Sequence, residues 1–233
     1  MRLDRLISNH PQYSQSKARL LLAAGRVRVN GCIVRDGRTE VDRFMSVSVD
    51  EVELKGSSAA HYLMLHKPAG YLSATADPQH PTVMELLPEP LRPLLHIAGR
   101  LDRSSTGLLI LTNDGLWSRR LTQPTSGIAK DYRVRTCYPI APDTAERFAR
   151  GIYFAFEGIT TAPAQLQWLA PCEVRLTIHE GRYHQIKRMF HAVGNRVLSL
   201  HRERMGAISL EPELAPGASR PLSPTEIASV TDY

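Results

Sequence analysis

Near the start of the chain, hydrophobic positions follow first the period of a helix and then the period of a strand. The stretch KARLLLAAG carries an apolar stripe of leucine and alanine, with Ser14 or Ser16 as a candidate N-cap and Gly25 as a stop. In the RVRVNG that follows, valines alternate with arginines and end at Asn30 and Gly31, the strongest short signal for a β-hairpin. The pattern predicts a small module of one helix and one hairpin.

The rest of the chain is predicted to be a larger domain of strands with few helices. The small, polar stretch KGSSAA is the best linker candidate, so we place residues 1–58 in the first module and residues 59–233 in the second domain. YLMLHKP predicts a strand, and AGYLSAT predicts a turn and a second strand. Because helices are few and turns are short, we expect an α+β fold with a largely antiparallel sheet. The other predicted elements are strands at 108–111, 132–136 and 174–178, a turn at 113–115, and helices at 143–150 and 183–193.

Net charge divides the chain in the same way. The chain carries +6, and residues 1–38 account for all of it, with eight Lys or Arg against two Asp or Glu. A basic module on a neutral body indicates an arm that binds polyanions. A solvated charged face is the alternative, but clustering on a helix and a strand favours phosphate contacts. The residues that we expect near one surface are Lys17, Arg19, Arg26 and Arg28.

Composition limits where the protein works. No stretch approaches the roughly 18 continuous apolar residues of a membrane span, and no apolar signal-peptide segment follows the N-terminal arginines. The three cysteines lie far apart without CxxC spacing, so neither a zinc site nor a disulfide framework is predicted. We expect a cytoplasmic protein that does not contact a membrane.

One carboxylate stands out in GRLDRSSTGLLILTNDG, residues 99–115. Asp102 lies between Arg100 and Arg103, ahead of the continuous apolar run 108–111, which predicts a buried strand. A loop of small hydroxyl residues held by such a strand is a frequent place for functional side chains. The alternative is that Asp102 pairs with a neighbouring arginine or caps a turn.

A second segment, EGRYHQIKRMFHAV, predicts a helix with two distinct faces. Its core face is formed by apolar positions at i, i+3, i+4 and i+7, namely Ile186, Met189, Phe190 and Val193. Its other face carries a basic stripe at the same spacing, made of His184, Lys187, Arg188 and His191. Such a stripe supplies a cation to an acid across a cleft, or it is a solvated face. Histidines at this spacing with no acidic ligand between them are a poor metal site.

The stretch KDYRVRT predicts a strand with one inward and one outward face. Tyr132 shares a face with Val134, while Arg133 and Arg135 point the other way. An inward tyrosine needs a polar partner for its hydroxyl. Tyr132 is therefore either a core tyrosine or part of a site.

Four motifs together resemble those of the pseudouridine synthases. Residues 99–115 are similar to their GRLDxxxTGLLxLTxDG signature, KPAGYLS to the strand-turn motif before it, KDY to their Lys-x-Tyr strand, and EGRYHQIKRMF to their basic helix motif. The motifs occur in the order that the family shows, and the resemblance covers essentially the whole chain. MRLDRLIS and SKARLLLAAGRVRVNG resemble the alpha-L RNA-binding motif of a small-subunit ribosomal protein and of many RNA-modifying enzymes.

The resemblance implies an enzyme that isomerises a uridine of ribosomal RNA to pseudouridine after flipping the base into a pocket. It implies that Asp102 is the nucleophile, that Tyr132 stacks on the uracil and serves as the base, and that Lys187 pairs with the Asp102 carboxylate. It implies no cofactor and no metal. The residues that we expect to bind RNA are Arg2, Arg5, Lys17, Arg19, Arg26, Arg28, Arg100, Arg182, His184 and Arg188.

Two details concern the substrate. DPQHPTV, residues 77–83, and the pair Tyr183 and His184 resemble the branch of the family that acts on the small ribosomal subunit. We therefore expect a monomer whose partner is small-subunit ribosomal RNA or a ribosome assembly intermediate. The alternatives are a sister synthase acting on large-subunit ribosomal RNA and a non-catalytic RNA-binding assembly factor. Retention of all three residues with implied catalytic roles argues against the assembly factor.

Overall fold

The computed structural model describes residues 1–230 and separates the chain into two compact units, Met1–Ala60 and the residues from His61 onward. The predicted boundary, between residues 58 and 59, lies in the same linker. No helix in the described part is long and apolar enough to cross a membrane.

The N-terminal unit combines two helices with a small sheet. Its elements are α1 (Leu3–Ser8), α2 (Gln15–Ala23), β1 (Val27–Val29), β2 (Cys32–Ile33), β3 (Val47–Val49) and β4 (Val52–Lys55). The strands pair antiparallel in the order β2-β1-β3-β4. The helices and strands enclose an apolar core that includes Leu3, Ile7, Leu21, Val27 and Val47.

Local sequence explains the two features predicted for this unit. The Ser14 hydroxyl accepts a hydrogen bond from the Lys17 amide at 3.3 Å and caps the start of α2. Gly25 follows the helix in the left-handed conformation, with φ 68°. Asn30 and Gly31 also take positive φ, 49° and 78°, as a two-residue hairpin turn requires. The helix and the hairpin are confirmed.

The larger unit is built on one mixed sheet. Its strands are β5 (Tyr62–Lys67), β6 (His96–Ala98), β7 (Thr106–Thr112), β8 (Lys130–Thr136), β9 (Tyr153–Phe154), β10 (Ile159–Thr160), β11 (Gln165–Ala170), β12 (Glu173–Ile178), β13 (Val197–Met205), β14 (Ile208–Ser209) and β15 (Ser219–Pro221). Its α-helices are α3 (Gly115–Thr122), α4 (Thr144–Arg150), α5 (Gln185–Ala192) and α6 (Pro224–Ala228). Short 3₁₀ turns lie at Val83–Leu86, Glu89–Leu91 and Pro124–Ser126.

A strand from late in the chain, β13, lies in the middle of this sheet. The order is β11-β12-β8-β13-β7-β5-β15, with β6 also beside β7 and β14 beside β13. In the part of the chain that the structure describes, β13 and β7 pair in parallel and the other neighbours in this sheet pair antiparallel. Strands β9 and β10 form a separate hairpin. The predicted α+β fold with a largely antiparallel sheet is confirmed.

Both faces of strand β7 are buried. Leu109 packs into an apolar cluster on one side of the sheet together with Phe190 of α5. Leu108 packs into a second cluster on the other side together with Trp117 of α3. This double burial explains why residues 108–111 are continuously apolar and do not alternate.

Three local predictions are corrected by the structure, and several strands of the larger unit were not predicted. In AGYLSAT, an isolated bridge between Leu72 and Thr82 takes the place of the second strand. The predicted turn at 113–115 is a helix start, because the Asp114 carboxylate accepts hydrogen bonds from the first two amides that follow Gly115 and caps α3. Helix α5 begins at Gln185, later than predicted, because His184 takes the left-handed conformation. The longest of the unpredicted strands is β13.

Candidate active site

Asp102 lies in the loop that joins β6 to β7, at the wall of a pocket. Its carboxylate is 26 % exposed, and its Oδ2 atom lies 2.8 Å from Nζ of Lys187. Its Oδ1 atom lies 3.4 Å from Nε2 of His184. Lys187 also donates a hydrogen bond to Oγ of Ser104, in the same loop, at 3.1 Å. Two side chains of the predicted basic stripe, His184 and Lys187, thus contact the Asp102 carboxylate.

The amphipathic pattern of α5 directs Lys187 toward this loop. Ile186, Met189 and Phe190 are buried in the core, so Lys187 lies at the border between the core face and solvent. His184 precedes the helix with φ 48° and ψ 31°. A non-glycine residue rarely adopts this conformation, and such residues cluster at functional sites because the surrounding structure must hold them there.

Tyr132 forms another wall of the same pocket. It lies on β8, is 6 % exposed and shares its inward face with Val134, whereas Arg133 and Arg135 are exposed on the opposite face. The inward direction predicted from the alternation is confirmed. The pocket is lined by Leu101, Asp102, Tyr132, Ile178, Lys187 and Leu200, among others. An apolar floor, one aromatic ring and one paired acid suit a flat, uncharged ring that is held against a carboxylate.

Two buried cations hold the backbone of the Asp102 loop. Lys67, which is 0 % exposed, donates hydrogen bonds to the carbonyl oxygens of Pro68, Arg103 and Ser105 at 3.0, 3.2 and 2.8 Å. Arg202, also buried, donates from Nε to the Leu108 carbonyl at 2.8 Å. Its Nη1 and Nη2 atoms donate to the carbonyls of Arg100 and Gly99 at 3.5 and 2.9 Å. The backbone of the loop is therefore held by hydrogen bonds both before and after Asp102.

These cations also set the electrostatics of the site. Burial lowers the pKa of the Lys67 ammonium to about 8, the Asp102 carboxylate opposes that shift, and the Arg202 guanidinium adds to it. Lys67 therefore remains charged at neutral pH.

Gly107 is needed where β7 meets β13, because its φ is 107° and a Cβ there would lie 2.3 Å from the Arg202 carbonyl oxygen. Sequence reasoning missed the roles of Lys67 and Arg202. A lysine at the end of an apolar strand was the available signal for Lys67.

Lys67→Met is expected to destabilise the larger unit by about 1–3 kcal/mol, the usual cost of leaving a buried carbonyl without its donor. Both tryptophans, Trp117 and Trp168, lie in this unit, so their fluorescence during urea unfolding measures its stability. Lys17→Met, at an exposed lysine of the N-terminal unit, is the control and should stay within about 0.5 kcal/mol of the parent. Equal urea midpoints for Lys67→Met and the parent would contradict the role of Lys67.

The residues predicted to bind RNA fall into two groups. Arg100, Arg182 and His184 line the pocket with Asp102, and Arg182 also pairs with Glu180 at 3.0 Å. Arg188 does not face Asp102, because its guanidinium binds both carboxylate oxygens of Glu157 at 2.8 and 3.0 Å. The others lie in the N-terminal unit and are exposed: Arg2, Arg5, Lys17, Arg19, Arg26 and Arg28.

Two of the exposed arginines of the N-terminal unit carry carboxylate partners. Arg2 pairs with Asp4 and Arg26 with Asp50, each at 2.6 Å. Arg28 donates to the Gly31 carbonyl across its hairpin at 2.8 Å. These contacts order the side chains on the surface, where ion pairs contribute little stability.

Comparisons with known proteins identify the family of the chain. Residues 61–192 match the family model for RNA pseudouridylate synthase, and residues 1–47 match the model for the S4 domain. The chain is 56 % identical over 230 residues to the ribosomal small subunit pseudouridine synthase A of Pseudomonas aeruginosa, covering 99 % of this chain and 100 % of that protein. It is 48 % identical over 230 residues to the protein of the same name from Escherichia coli K12, with the same coverage.

A solved structure is similar over the same extent. The crystal structure of a pseudouridylate synthase superposes with a TM-score of 0.72 at 37 % identity, covering 99 % of both chains. The match includes the N-terminal unit as well as the sheet that carries Asp102 and Tyr132. The order of elements described above is therefore that of a solved enzyme.

Proposed function

The chain belongs to the RNA pseudouridylate synthase family, and on that premise we propose that it isomerises a specific uridine of small-subunit ribosomal RNA to pseudouridine, using Asp102 as nucleophile. The observation that carries the assignment of the site is the Asp102 carboxylate, paired with Lys187 at 2.8 Å, on a pocket walled by Tyr132. The near full-length relatives that act on the small subunit support the choice of substrate.

The reaction explains why one acid is enough. The bond between the sugar and nitrogen 1 of uracil breaks, and a bond between the sugar and carbon 5 forms, so the base must be detached, turned and reattached in one pocket. Asp102 acts as covalent catalyst and divides this exchange into easier steps. Glycoside hydrolases use a pair of carboxylates because they add water, whereas this isomerisation adds none.

Lys187 keeps the acid reactive while substrate covers it. A base lying over Asp102 removes water from the carboxylate, and a desolvated charge without a partner is costly. The Lys187 ammonium, 2.8 Å from Oδ2, supplies that partner. The buried Lys67 adds a second positive charge near the same loop.

Tyr132 holds the detached uracil. Its ring, fixed within strand β8, offers a flat surface to a flipped base. Its hydroxyl gives its own proton to nitrogen 1 and takes in return the proton that carbon 5 loses, so the phenol is regenerated. In this proposal the ring of Tyr132 orients the uracil, and its hydroxyl transfers the proton.

The choice of RNA can be tested by mapping pseudouridines in ribosomal RNA from cells with and without the gene. We expect one or more sites of small-subunit RNA to lose the modification in the deletion strain and to regain it when the gene is restored. Loss of a site in large-subunit RNA would instead assign a sister activity. Unchanged maps would indicate a non-catalytic assembly factor.

The N-terminal unit is proposed to hold the RNA through phosphate contacts. Removal of Met1 to Ser58 is expected to weaken RNA affinity and to flatten its salt dependence, because each lost phosphate contact reduces the slope of log K against log salt by roughly 0.7 to 0.9. Filter binding at several salt concentrations measures the slope. An unchanged slope in the truncated protein would refute the phosphate contacts.

We also propose that the protein acts as a monomer in the cytoplasm. Its relatives come from bacteria, where ribosomes are assembled in that compartment. The substrate is ribosomal RNA either free or in an assembly intermediate. Sedimentation velocity of the protein alone and with RNA distinguishes a monomer from a dimer.

A further inference from the structure

An exposed aromatic ring belongs to the residue between Arg182 and His184, which both line the Asp102 pocket. Tyr183 is 75 % exposed, and its ring stacks on the imidazole of His184 with centroids 3.9 Å apart and planes inclined by 20°. Tyrosine side chains are on average intermediate in burial. Tyr183 is largely open to solvent, and His184 supports one face of its ring.

His184, on which the Tyr183 ring stacks, also contacts the proposed nucleophile Asp102. The His184 imidazole stacks on the Tyr183 ring, and its Nε2 atom lies 3.4 Å from Oδ1 of Asp102. His184 makes both contacts from a left-handed backbone conformation immediately before α5. Tyr183 is therefore one side chain removed from the carboxylate.

A second exposed ring lies on a hairpin that is linked to the backbone of Tyr183 through Arg188. Phe156, at the tip of the hairpin formed by β9 and β10, is 98 % exposed. Its neighbour Glu157 binds Arg188, and the Arg188 guanidinium lies 3.7 Å from the centre of the Phe154 ring. Arg188 also donates to the Tyr183 carbonyl at 3.3 Å. One guanidinium thus connects the hairpin tip to the backbone of Tyr183.

We propose that Tyr183 stacks on an unpaired nucleobase next to the target uridine, with Phe156 on the hairpin tip as a second stacking surface. The proposal rests on the proposed function. Flipping the uridine leaves the neighbouring base without a stacking partner, and an exposed ring beside the pocket replaces that partner. Arg100, which is exposed and lines the pocket, supplies a positive charge beside it for an RNA phosphate.

This contact positions the RNA without reading its sequence. Every base has a π-face, so an aromatic ring stacks on any of them. The ring would favour an open loop or bulge over a continuous duplex, because in a duplex the neighbouring base is already stacked on both sides. The substrate class is therefore a uridine flanked by at least one unpaired nucleotide.

The test compares Tyr183→Ala, Tyr183→Phe and the full-length parent in single-turnover assays on small-subunit ribosomal RNA transcribed in vitro. Tyr183→Ala is expected to raise the enzyme concentration for half-maximal rate roughly 5- to 150-fold, the effect of losing one stacked base. Its maximal rate and the salt slope of its RNA affinity should stay unchanged, since no charge is removed. Tyr183→Phe retains the ring and should restore the parent value.

Tyr138→Ala is the matched control. Tyr138 is exposed to a similar degree, but its backbone contacts Asn195, beyond the C-terminal end of α5. A fall in maximal rate with unchanged half-maximal concentration for Tyr183→Ala would overturn the stacking role, because Tyr183 would then act through His184. A changed salt slope, or equal effects in Tyr183→Ala and Tyr138→Ala, would overturn it too. A parent protein that forms no pseudouridine either in this RNA or in small-subunit assembly intermediates would overturn the proposed function itself.

Discussion

Asp102→Asn is expected to abolish pseudouridine formation while RNA affinity changes little. The amide keeps the size and shape of the side chain, so the pocket and its loop remain, but it has no anionic oxygen to form the covalent bond. Single-turnover assays with saturating enzyme measure the loss of activity, and filter binding measures the retained affinity. Pseudouridine formation by Asp102→Asn at a measurable rate would contradict the proposed mechanism.

The chain offers a matched control at Asp114. This carboxylate caps α3 through the backbone amides of Leu116 and Trp117 and lies outside the pocket lining. Asparagine is as good an N-cap as aspartate. Asp114→Asn should therefore keep the α3 cap and the turnover of the parent, so a loss of activity in Asp102→Asn alone would report on Asp102 itself.

Lys187→Met is expected to slow the chemical step by about two to four powers of ten. The change keeps most of the side-chain length but removes the charge 2.8 Å from Asp102. Removing the partner of a buried charge costs about 3 to 5 kcal/mol, and a substrate base lying over Asp102 creates that burial. The effect should appear in the single-turnover rate at saturating enzyme.

Arg188→Met is the comparison for this variant, because it removes a cation from the next position of the same helix. Successive residues of a helix point about 100° apart, so the two cations cannot both face Asp102. Arg188 binds Glu157 instead, and its loss should act mainly on RNA affinity. If Arg188→Met has the slower chemical step, the assignment moves from Lys187 to Arg188.

Much of the fold was predictable because its patterns are local. The cap of α2 and the Asn-Gly hairpin depend on adjacent residues, and the structure confirms them. The inward direction of Tyr132 follows from the period of two along β8. The buried strand β7 could be recognised because both of its faces are apolar.

Features that depend on distant contacts could not be predicted in the same way. Strand β13 reads LHRERM in its second half, which suggests an exposed segment, yet Arg202 is buried because its acceptors lie near residues 99–108. Lys187 and Arg188 look alike in the basic stripe, and Glu157, on a distant hairpin, separates their roles. The positive φ of His184 has no signal in sequence, since glycine is the residue that normally indicates it.

The central position of β13 determines when a newly made chain can become active. Tyr132 lies on β8, on one side of this strand, and Asp102 precedes β7, on the other side. A ribosome that has translated as far as α5 has already made Asp102, Tyr132 and Lys187, but the strand that joins the two halves of the sheet is still missing. Pairings between residues this far apart in sequence form late in folding. We therefore expect the enzyme to gain its activity only after Met205 has left the ribosome, so that a chain released early is inert toward the ribosomal RNA around it.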